Sequence, residues 1–243
     1  MSKLISSLWN NLLDIIYPRY CLECGKNLAS TEHFYLCLEC ISKITFVNQF
    51  NACPKCGLDL GPYTEGNVLC RDCAIHKPRF DKAFAVARYD GIMRNVILKL
   101  KYQKDKPLAV PLSRLAAKTI EESKEKTDLI MPVPLCRTKL KERGFNQSKL
   151  LAEGVANILK IKLSSDNILK IKETRDQAGL DGSARRENLK DAFSVSRPSE
   201  IKDKKVLLVD DVLTTGTTIS EISRVLKKAG ANKVFACVLA HGR

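Results

Sequence analysis

Two groups of residues in this 243-residue chain have the types and spacings that do chemistry. The first is cysteine. Eight of the ten cysteines lie between Cys21 and Cys73, as the four CxxC pairs Cys21/Cys24, Cys37/Cys40, Cys53/Cys56 and Cys70/Cys73. A CxxC pair sets both thiolates on one side of a tight knuckle, and two knuckles close a tetrahedral site of four sulfurs. The tetrads Cys21-x2-Cys24-x12-Cys37-x2-Cys40 and Cys53-x2-Cys56-x13-Cys70-x2-Cys73 have nearly equal loops, which favours sequential pairing over a crossed one. Two closed Zn²⁺ sites are expected, structural because no coordination position stays open; iron–sulfur is the competitor. Gly25 and Gly57 follow the second cysteine of their knuckles, where a left-handed turn is convenient. No secretory signal pattern precedes the cysteines, so a reducing, cytoplasmic setting and metal rather than disulfides are expected. Cys237 sits in an apolar run and reads as core; Cys136 stands in a loop with no histidine near it in sequence.

The second group is Asp210-Asp211-Val212-Leu213-Thr214-Thr215-Gly216-Thr217-Thr218. It follows four consecutive apolar residues, Val206–Val209, as expected for a strand buried on both faces. In open parallel sheets ligands bind just beyond the C-terminal ends of strands. A Gly/Thr loop running into a helix offers backbone N–H groups and hydroxyls to a phosphate. Two adjacent carboxylates suit the vicinal hydroxyls of a ribose, or Mg²⁺, and at a buried strand end they repel each other unless a ligand or cation compensates. Both chemistries in one place imply a ribose 5-phosphate. No GKS or GKT is present, so this is not a Walker loop.

Alternating elements must position these groups. Ala83–Tyr89, Leu129–Val133, Lys205–Val212 and Lys233–Ala240 read as strands, with Ile168–Ile171 a weaker one. Gly91–Tyr102, Leu108–Lys126, Ser148–Lys160 and Ile219–Ala229 read as helices. The alternation predicts an α/β fold with a parallel sheet. Three units are expected: residues 1–18, an amphipathic helix stopped by Pro18; residues 19–78, a double zinc ribbon that needs metal to fold; and residues 79–243, the α/β domain. No apolar run is long enough to span a membrane. The formal net charge is +14, of which residues 81–243 carry +13. Such an excess favours anionic partners.

Val206–Thr218 resembles the phosphoribosyl pyrophosphate (PRPP) loop of type I phosphoribosyltransferases. That resemblance makes Asp210 and Asp211 ribose ligands and Thr214, Thr215, Gly216, Thr217 and Thr218 the 5′-phosphate cradle, with Mg²⁺ accompanying PRPP. Leu135-Cys136-Arg137, after the strand Leu129–Pro134, matches the pyrophosphate loop, where Arg137 could clamp a diphosphate. Arg175, Arg185 and Arg186 lie on the segment matching the mobile lid, so Arg185 joins Asp210, Asp211 and Arg137 as a candidate catalytic residue. Purine-salvage members carry an Asp where this chain has Thr214, and a Thr cannot take a proton from the base.

Three further segments narrow the resemblance: Tyr89-Asp90-Gly91 with Leu98-Lys99-Leu100-Lys101-Tyr102; Val133-Pro134-Leu135-x-Arg137-x5-Arg143-Gly144-Phe145-Asn146-Gln147-Ser148; and Thr174-x2-Gln177-x2-Leu180-x4-Arg185-x2-Asn188. Together with the cysteine ribbons they closely resemble the ComF family of competence-associated proteins, over nearly the whole chain. The resemblance implies a role in DNA uptake during natural transformation, handling single-stranded DNA beside a helicase-like partner, in the cytoplasm and near the membrane only through partners. Lys99, Lys101, Tyr102, Arg137, Lys139, Arg143 and Phe145 are the expected DNA contacts, since basic groups follow a phosphate backbone and an aromatic ring can stack on a base; Arg137, Lys139, Lys141 and Arg143 alternate along what reads as a short loop. A working phosphoribosyltransferase with an unidentified acceptor, and a scaffold that senses PRPP or a nucleotide, are the other readings.

Overall fold

The apolar run at Val206–Val209 forms the middle of a five-stranded parallel sheet in a computed structural model of the chain, which describes residues 20–28, 35–64, 67–172 and 187–242. The expected N-terminal helix and the lid segment with Arg175, Arg185 and Arg186 lie outside the described residues. In chain order the elements are α1 (Leu38–Ser42), α2 (Arg71–His76), β1 (Lys82–Arg88), α3 (Gly91–Leu98), α4 (Ala109–Ser123), β2 (Leu129–Pro132), α5 (Arg137–Arg143), α6 (Gln147–Leu159), β3 (Lys162–Leu163), β4 (Ile168–Lys170), β5 (Phe193–Val195), β6 (Lys205–Leu213), α7 (Thr217–Lys228) and β7 (Lys233–His241). The sheet order is β1-β7-β6-β2-β3, all neighbours parallel. The α/β expectation is correct.

Side chains alternate across the sheet, as the two-residue strand period requires. Phe84 and Val86 of β1, Leu207 and Val209 of β6, and Phe235 and Cys237 of β7 face one layer, with α3, α4 and α6. Ala83, Ala85, Val206, Leu208, Val234 and Ala236 face the other, with α7. The strand expected over Ile168–Ile171 is present as Ile168–Lys170, paired antiparallel with β5 in a separate two-stranded sheet. Two expectations need correction. The helix expected over Gly91–Tyr102 is α-helical only to Leu98 and then widens into a π-turn, Lys99–Gln103. The basic run expected as a loop is the helix α5, closed by Gly144 in a left-handed cap (φ 79°). Its one apolar side chain, Leu140, stays exposed, so no apolar period announces it.

The cysteine segments are not a loosely tethered appendage. Each repeats one plan: a hairpin knuckle, bridged at Tyr20↔Asn27 or Ala52↔Asp59, then a short helix starting at the third cysteine of the tetrad. The first ribbon packs into the layer with α3 and α4, and the second into the layer with α7. Between them, residues 45–47 pair along the outer edge of β1: Arg88 N–H donates to Thr45 O at 2.9 Å and Val47 N–H to Val86 O at 3.0 Å. The two ribbons therefore straddle the edge strand, one on each face. An exposed edge would offer unpaired N–H and C=O groups to other chains, and this clasp removes that hazard. At the opposite edge β3 is two residues long. Gly57 shows how close the docking is: a Cβ there would lie 2.8 Å from Ala83 O, at a φ of +71°.

Candidate functional site

In the first tetrad the sulfurs of Cys21 and Cys40, and of Cys24 and Cys37, are each 3.7 Å apart; in the second, Cys56 and Cys70 are 3.6 Å apart. Four sulfurs held about 2.3 Å from one Zn²⁺ have edges of roughly 3.8 Å, so the donor sets fit the metal. Pairing is sequential, as the loop lengths predict: Cys21, Cys24, Cys37 and Cys40 form one cluster, and Cys53, Cys56, Cys70 and Cys73 the other. Backbone N–H groups of Cys37 and Cys70 point at the sulfurs of Cys21 and Cys53, both at 3.4 Å, which stabilises thiolates. Cys24 alone among the eight is exposed.

The second group assembles at the C-terminal end of β6. Asp210 is partly buried and Asp211 is 4% exposed. Ser148, at the start of α6, donates its hydroxyl to Asp210 Oδ1 at 2.7 Å, and the Asp211 N–H donates to the same oxygen at 2.9 Å. Burial, then the neighbouring Asp211 carboxylate, nevertheless raise Asp210 to about 7. Lys101, carried inward by the π-turn, reaches Asp211 Oδ1 at 2.8 Å. Burial opposes its ammonium, but Asp211 outweighs that and holds Lys101 above its usual pKa. Asp211 Oδ2 is buried with no hydrogen-bond partner. An orphaned carboxylate oxygen beside a second carboxylate is what a ribose hydroxyl or a divalent cation would satisfy.

These groups open into a cavity of about 430 Å³, walled also by Tyr102, Pro134, Leu135, Cys136, Lys139 and Arg143. A second cavity, of about 120 Å³, lies inside the Val212–Ile219 loop. Gly216 caps α7 in the left-handed region (φ 71°), and the hydroxyls of Thr215 and Thr217 meet at 2.8 Å. Leu135 and Cys136 thus line the cavity of the acid pair. Arg137 is exposed at the start of α5 and does not line it. A hydrogen bond to Thr138 and the nearby lysines lower the Cys136 thiol, against burial.

The expected DNA contacts divide. Tyr102 is exposed at the rim, with the Arg143 guanidinium 5.3 Å from its ring centre; Arg137 and Lys139 stand on the adjoining helix. Lys99 is instead tied to the first ribbon, donating to Leu22 O at 2.6 Å and pairing with Glu23 at 3.0 Å. Lys101 belongs to the acid pair. Phe145 is buried, with Lys106 over its ring, and a buried ring cannot stack on a base. A helical Arg137–Arg143 also puts Arg137 with Lys141, and Lys139 with Arg143, at the four-residue spacing of shared faces, not in the extended alternation expected of a loop. Ser148 was the partner that the residue reading missed. It stands within the quoted Arg143–Ser148 motif, but nothing local links it to a strand end 62 residues away.

A parallel sheet with an acid pair and a Thr/Gly loop at the end of its middle strand, clasped by two four-cysteine ribbons, defines a phosphoribosyltransferase-like protein with a double zinc ribbon. The family comparisons agree: residues 145–243 match the phosphoribosyl transferase domain and residues 12–74 the double zinc ribbon domain. The chain is 33% identical to competence protein F of Haemophilus influenzae over 191 residues, covering 76% of this chain and 82% of that one. It is 32% identical to the DNA utilization protein YhgH of Escherichia coli K12, covering 74% and 80%. It is 24% identical to competence protein ComFC of Bacillus subtilis, covering 68% of each. The chain belongs to the ComF competence-protein family. Among the described residues no helix is long and apolar enough to cross a membrane.

Proposed function

We propose that this chain binds PRPP with Mg²⁺ at Asp210, Asp211 and the Thr214–Thr218 cradle, and that it engages single-stranded DNA during DNA uptake. The observation that carries the first part is the orphaned Asp211 Oδ2 beside Asp210, at the same strand end as the loop cavity of about 120 Å³ that Asp210 also lines. Mg²⁺, when bound, would neutralise the acid pair and the diphosphate. Asp210 and Asp211 would hold the ribose hydroxyls, the loop N–H groups and threonine hydroxyls the 5′-phosphate, and Leu135 and Cys136 the diphosphate side; Arg137, exposed outside the cavity, would reach the diphosphate only by reorienting its side chain. Lys101 keeps the acid pair compensated until the ligand arrives. Arg185, outside the described residues, is a further candidate on the family resemblance alone.

The names of the relatives support the DNA part, as does the basic, aromatic rim of Tyr102, Arg143, Arg137 and Lys139. Residues 19–78 serve as the zinc-dependent clasp and 79–243 as the ligand-binding domain; the setting is the cytoplasm, beside a helicase-like partner. The test is fluorescence anisotropy of labelled single-stranded DNA at two salt concentrations, with and without Mg–PRPP. Binding that weakens with salt, by a logarithmic slope of about −0.7 per phosphate neutralised, and that shifts with Mg–PRPP, supports the reading. Salt-independent binding, or none, sinks it. A second reading, a working transferase, is favoured by the completeness of the Asp210–Thr218 loop. It predicts pyrophosphate release that needs an acceptor and is lost in D210N/D211N, and Thr214 argues that the acceptor is not deprotonated from that position.

A further inference from the structure

The two ribbons repeat one plan, yet they do not protect their sulfurs equally. Gly25 and Gly57 hold the same place, directly after the second cysteine of each knuckle. A Cβ on Gly57 would come within 2.8 Å of Ala83 O on β1, whereas a Cβ on Gly25 would meet nothing within 4 Å. The second knuckle is therefore pressed against the sheet at this point, and the first faces open space. The adjacent cysteines follow suit: Cys56 is 6% exposed, and Cys24 is exposed. Cys56, Cys70 and Cys73 also border a cavity of about 340 Å³, but no cysteine of the second tetrad is more than 8% exposed. In the first tetrad Cys21, Cys37 and Cys40 are each at most 4% exposed, so solvent reaches that donor set through Cys24. The Cys37 sulfur lies 3.7 Å from the Cys24 sulfur and accepts the Cys40 N–H at 3.4 Å.

A thiolate that holds zinc remains a nucleophile, and cysteine oxidation follows thiolate character and access. We propose that Cys24 is a reversible oxidation site, and that hydrogen peroxide or another hydroperoxide acting there opens the first zinc site while the second stays closed. The Cys24 thiolate attacks hydrogen peroxide: an S–O bond forms, the O–O bond breaks and hydroxide leaves. The sulfur, oxidised by two electrons, is then a sulfenic acid. The Cys37 thiolate attacks that sulfur, the S–S bond forms, and a second hydroxide leaves. Two thiolates, one peroxide and two protons thus give one disulfide and two waters. Cys21 and Cys40 remain as thiolates, and two sulfurs no longer close a four-sulfur site. A dithiol reductant returns Cys24 and Cys37 to thiols by exchange. The same knuckle is a latch. Between Cys21 and Cys24, Leu22 O and the Glu23 carboxylate hold the Lys99 ammonium, and Glu23 also accepts from Asn95 of α3. Opening the site loosens that hold and frees Lys99. The proposal stands independently of the PRPP reading.

The test treats the full, zinc-loaded chain with hydrogen peroxide. Released zinc is read with a chromogenic chelator, the disulfide by peptide mapping, and Lys99 by acylation with an amine-reactive label. One zinc is expected to leave roughly tenfold faster than the other, or more, together with a Cys24–Cys37 disulfide and a Lys99 that becomes labelled. Dithiothreitol with added zinc should restore two ions and protect Lys99 again. Cys136→Ser, which removes the partly exposed thiol outside the tetrads, should release the first zinc at the unaltered rate. Loss of both ions at one rate, retention of both, or a first disulfide that lacks Cys24 overturns the proposal. A first zinc lost more slowly from Cys136→Ser places the oxidation at Cys136 and overturns it as well. A link from Cys24 to Cys21 or Cys40 supports the oxidation site and overturns Cys37 as its partner. A Lys99 that stays protected after zinc release overturns the latch.

Discussion

Replacing Asp210 by Asn separates what this residue costs the fold from what it does for a ligand. Asp210 stands at about 7, against 3.8 for an unperturbed aspartate, because burial and Asp211 both disfavour its charge. The sign follows from proton linkage: the native state holds this proton more tightly than the unfolded state. The penalty is therefore small near pH 4, grows as pH rises, and is complete above pH 7. Three pH units correspond to a ceiling on the order of 4 kcal/mol. The bonds from Ser148 Oγ and Asp211 N–H to Asp210 Oδ1 offset part of that, and an Asn oxygen can keep them. A net gain of about 1 to 2 kcal/mol is expected for D210N without ligand at pH 8, or roughly 2 to 8 °C in Tm for a chain of this size. The advantage should shrink by about 1 kcal/mol at pH 6. Thermal unfolding of the zinc-loaded proteins at the two pH values reads this, and the comparison between variants cancels any common loss of metal on acidification. Calorimetry should show Mg–PRPP binding lost in D210N, and weakened in the unaltered chain at pH 6, where Asp210 is mostly protonated. A D210N protein that is no more stable at pH 8, or that gains equally at both pH values, refutes the argument that the acid pair stores strain for its ligand.

Glycine 57 tests the clasp: Gly57→Ala adds a Cβ 2.8 Å from Ala83 O at positive φ and should cost about 3 to 4 kcal/mol, whereas Gly25→Ala, with open space around it, should cost only about 1 to 2 kcal/mol for the backbone; chemical denaturation distinguishes them. In the second tetrad Cys56→Ser should lower the zinc content from two ions to one and weaken Mg–PRPP binding, because Phe80 supports Gly216 from that side, while Cys24→Ser on the opposite face should lose one zinc and leave PRPP affinity intact. Equal effects of the two on PRPP would contradict the two-sided arrangement. Tyr102→Ala should cost about 1 to 3 kcal/mol in single-stranded DNA affinity with little change in stability. Phe145→Ala should do the reverse, costing about 3 kcal/mol of stability, and anisotropy beside thermal melts tells the two apart.

Local chemistry was legible wherever spacing alone decides it. The CxxC repeats predict both metal clusters and their pairing, and the Val206–Thr218 run predicts a middle strand, a loop and a helix in their observed places. Long-range geometry was not. Lys99 and Lys101 read as one basic cluster, yet the π-turn sends one to Glu23 and the other to Asp211, and no residue type announces a π-turn. Phe145 follows a basic stretch and looks available, but α6 begins beside it and packs it inward. The cavity of the acid pair also draws on Ser148, Lys170 and Phe193, beyond the Leu135–Arg137 and Asp210–Thr218 segments that the sequence points to, and their approach depends on tertiary packing that no local pattern encodes.

The position of β1 has a consequence for synthesis. Its neighbour in the sheet is β7, some 150 residues further along and at the far end of the described chain. The cysteine hairpins leave the ribosome first and can gather metal at once. The strand they clasp, β1, gains its sheet neighbour only once the C-terminal strand has emerged and seated beside it. Zinc capture therefore comes early and docking comes last, and until then the apolar undersides of both ribbons are exposed together. A nascent chain stalled before β7 would hold its metal while remaining open to aggregation, and completion of β7 would seat the sheet between the ribbons and bring His241 beside Leu213 in the same event.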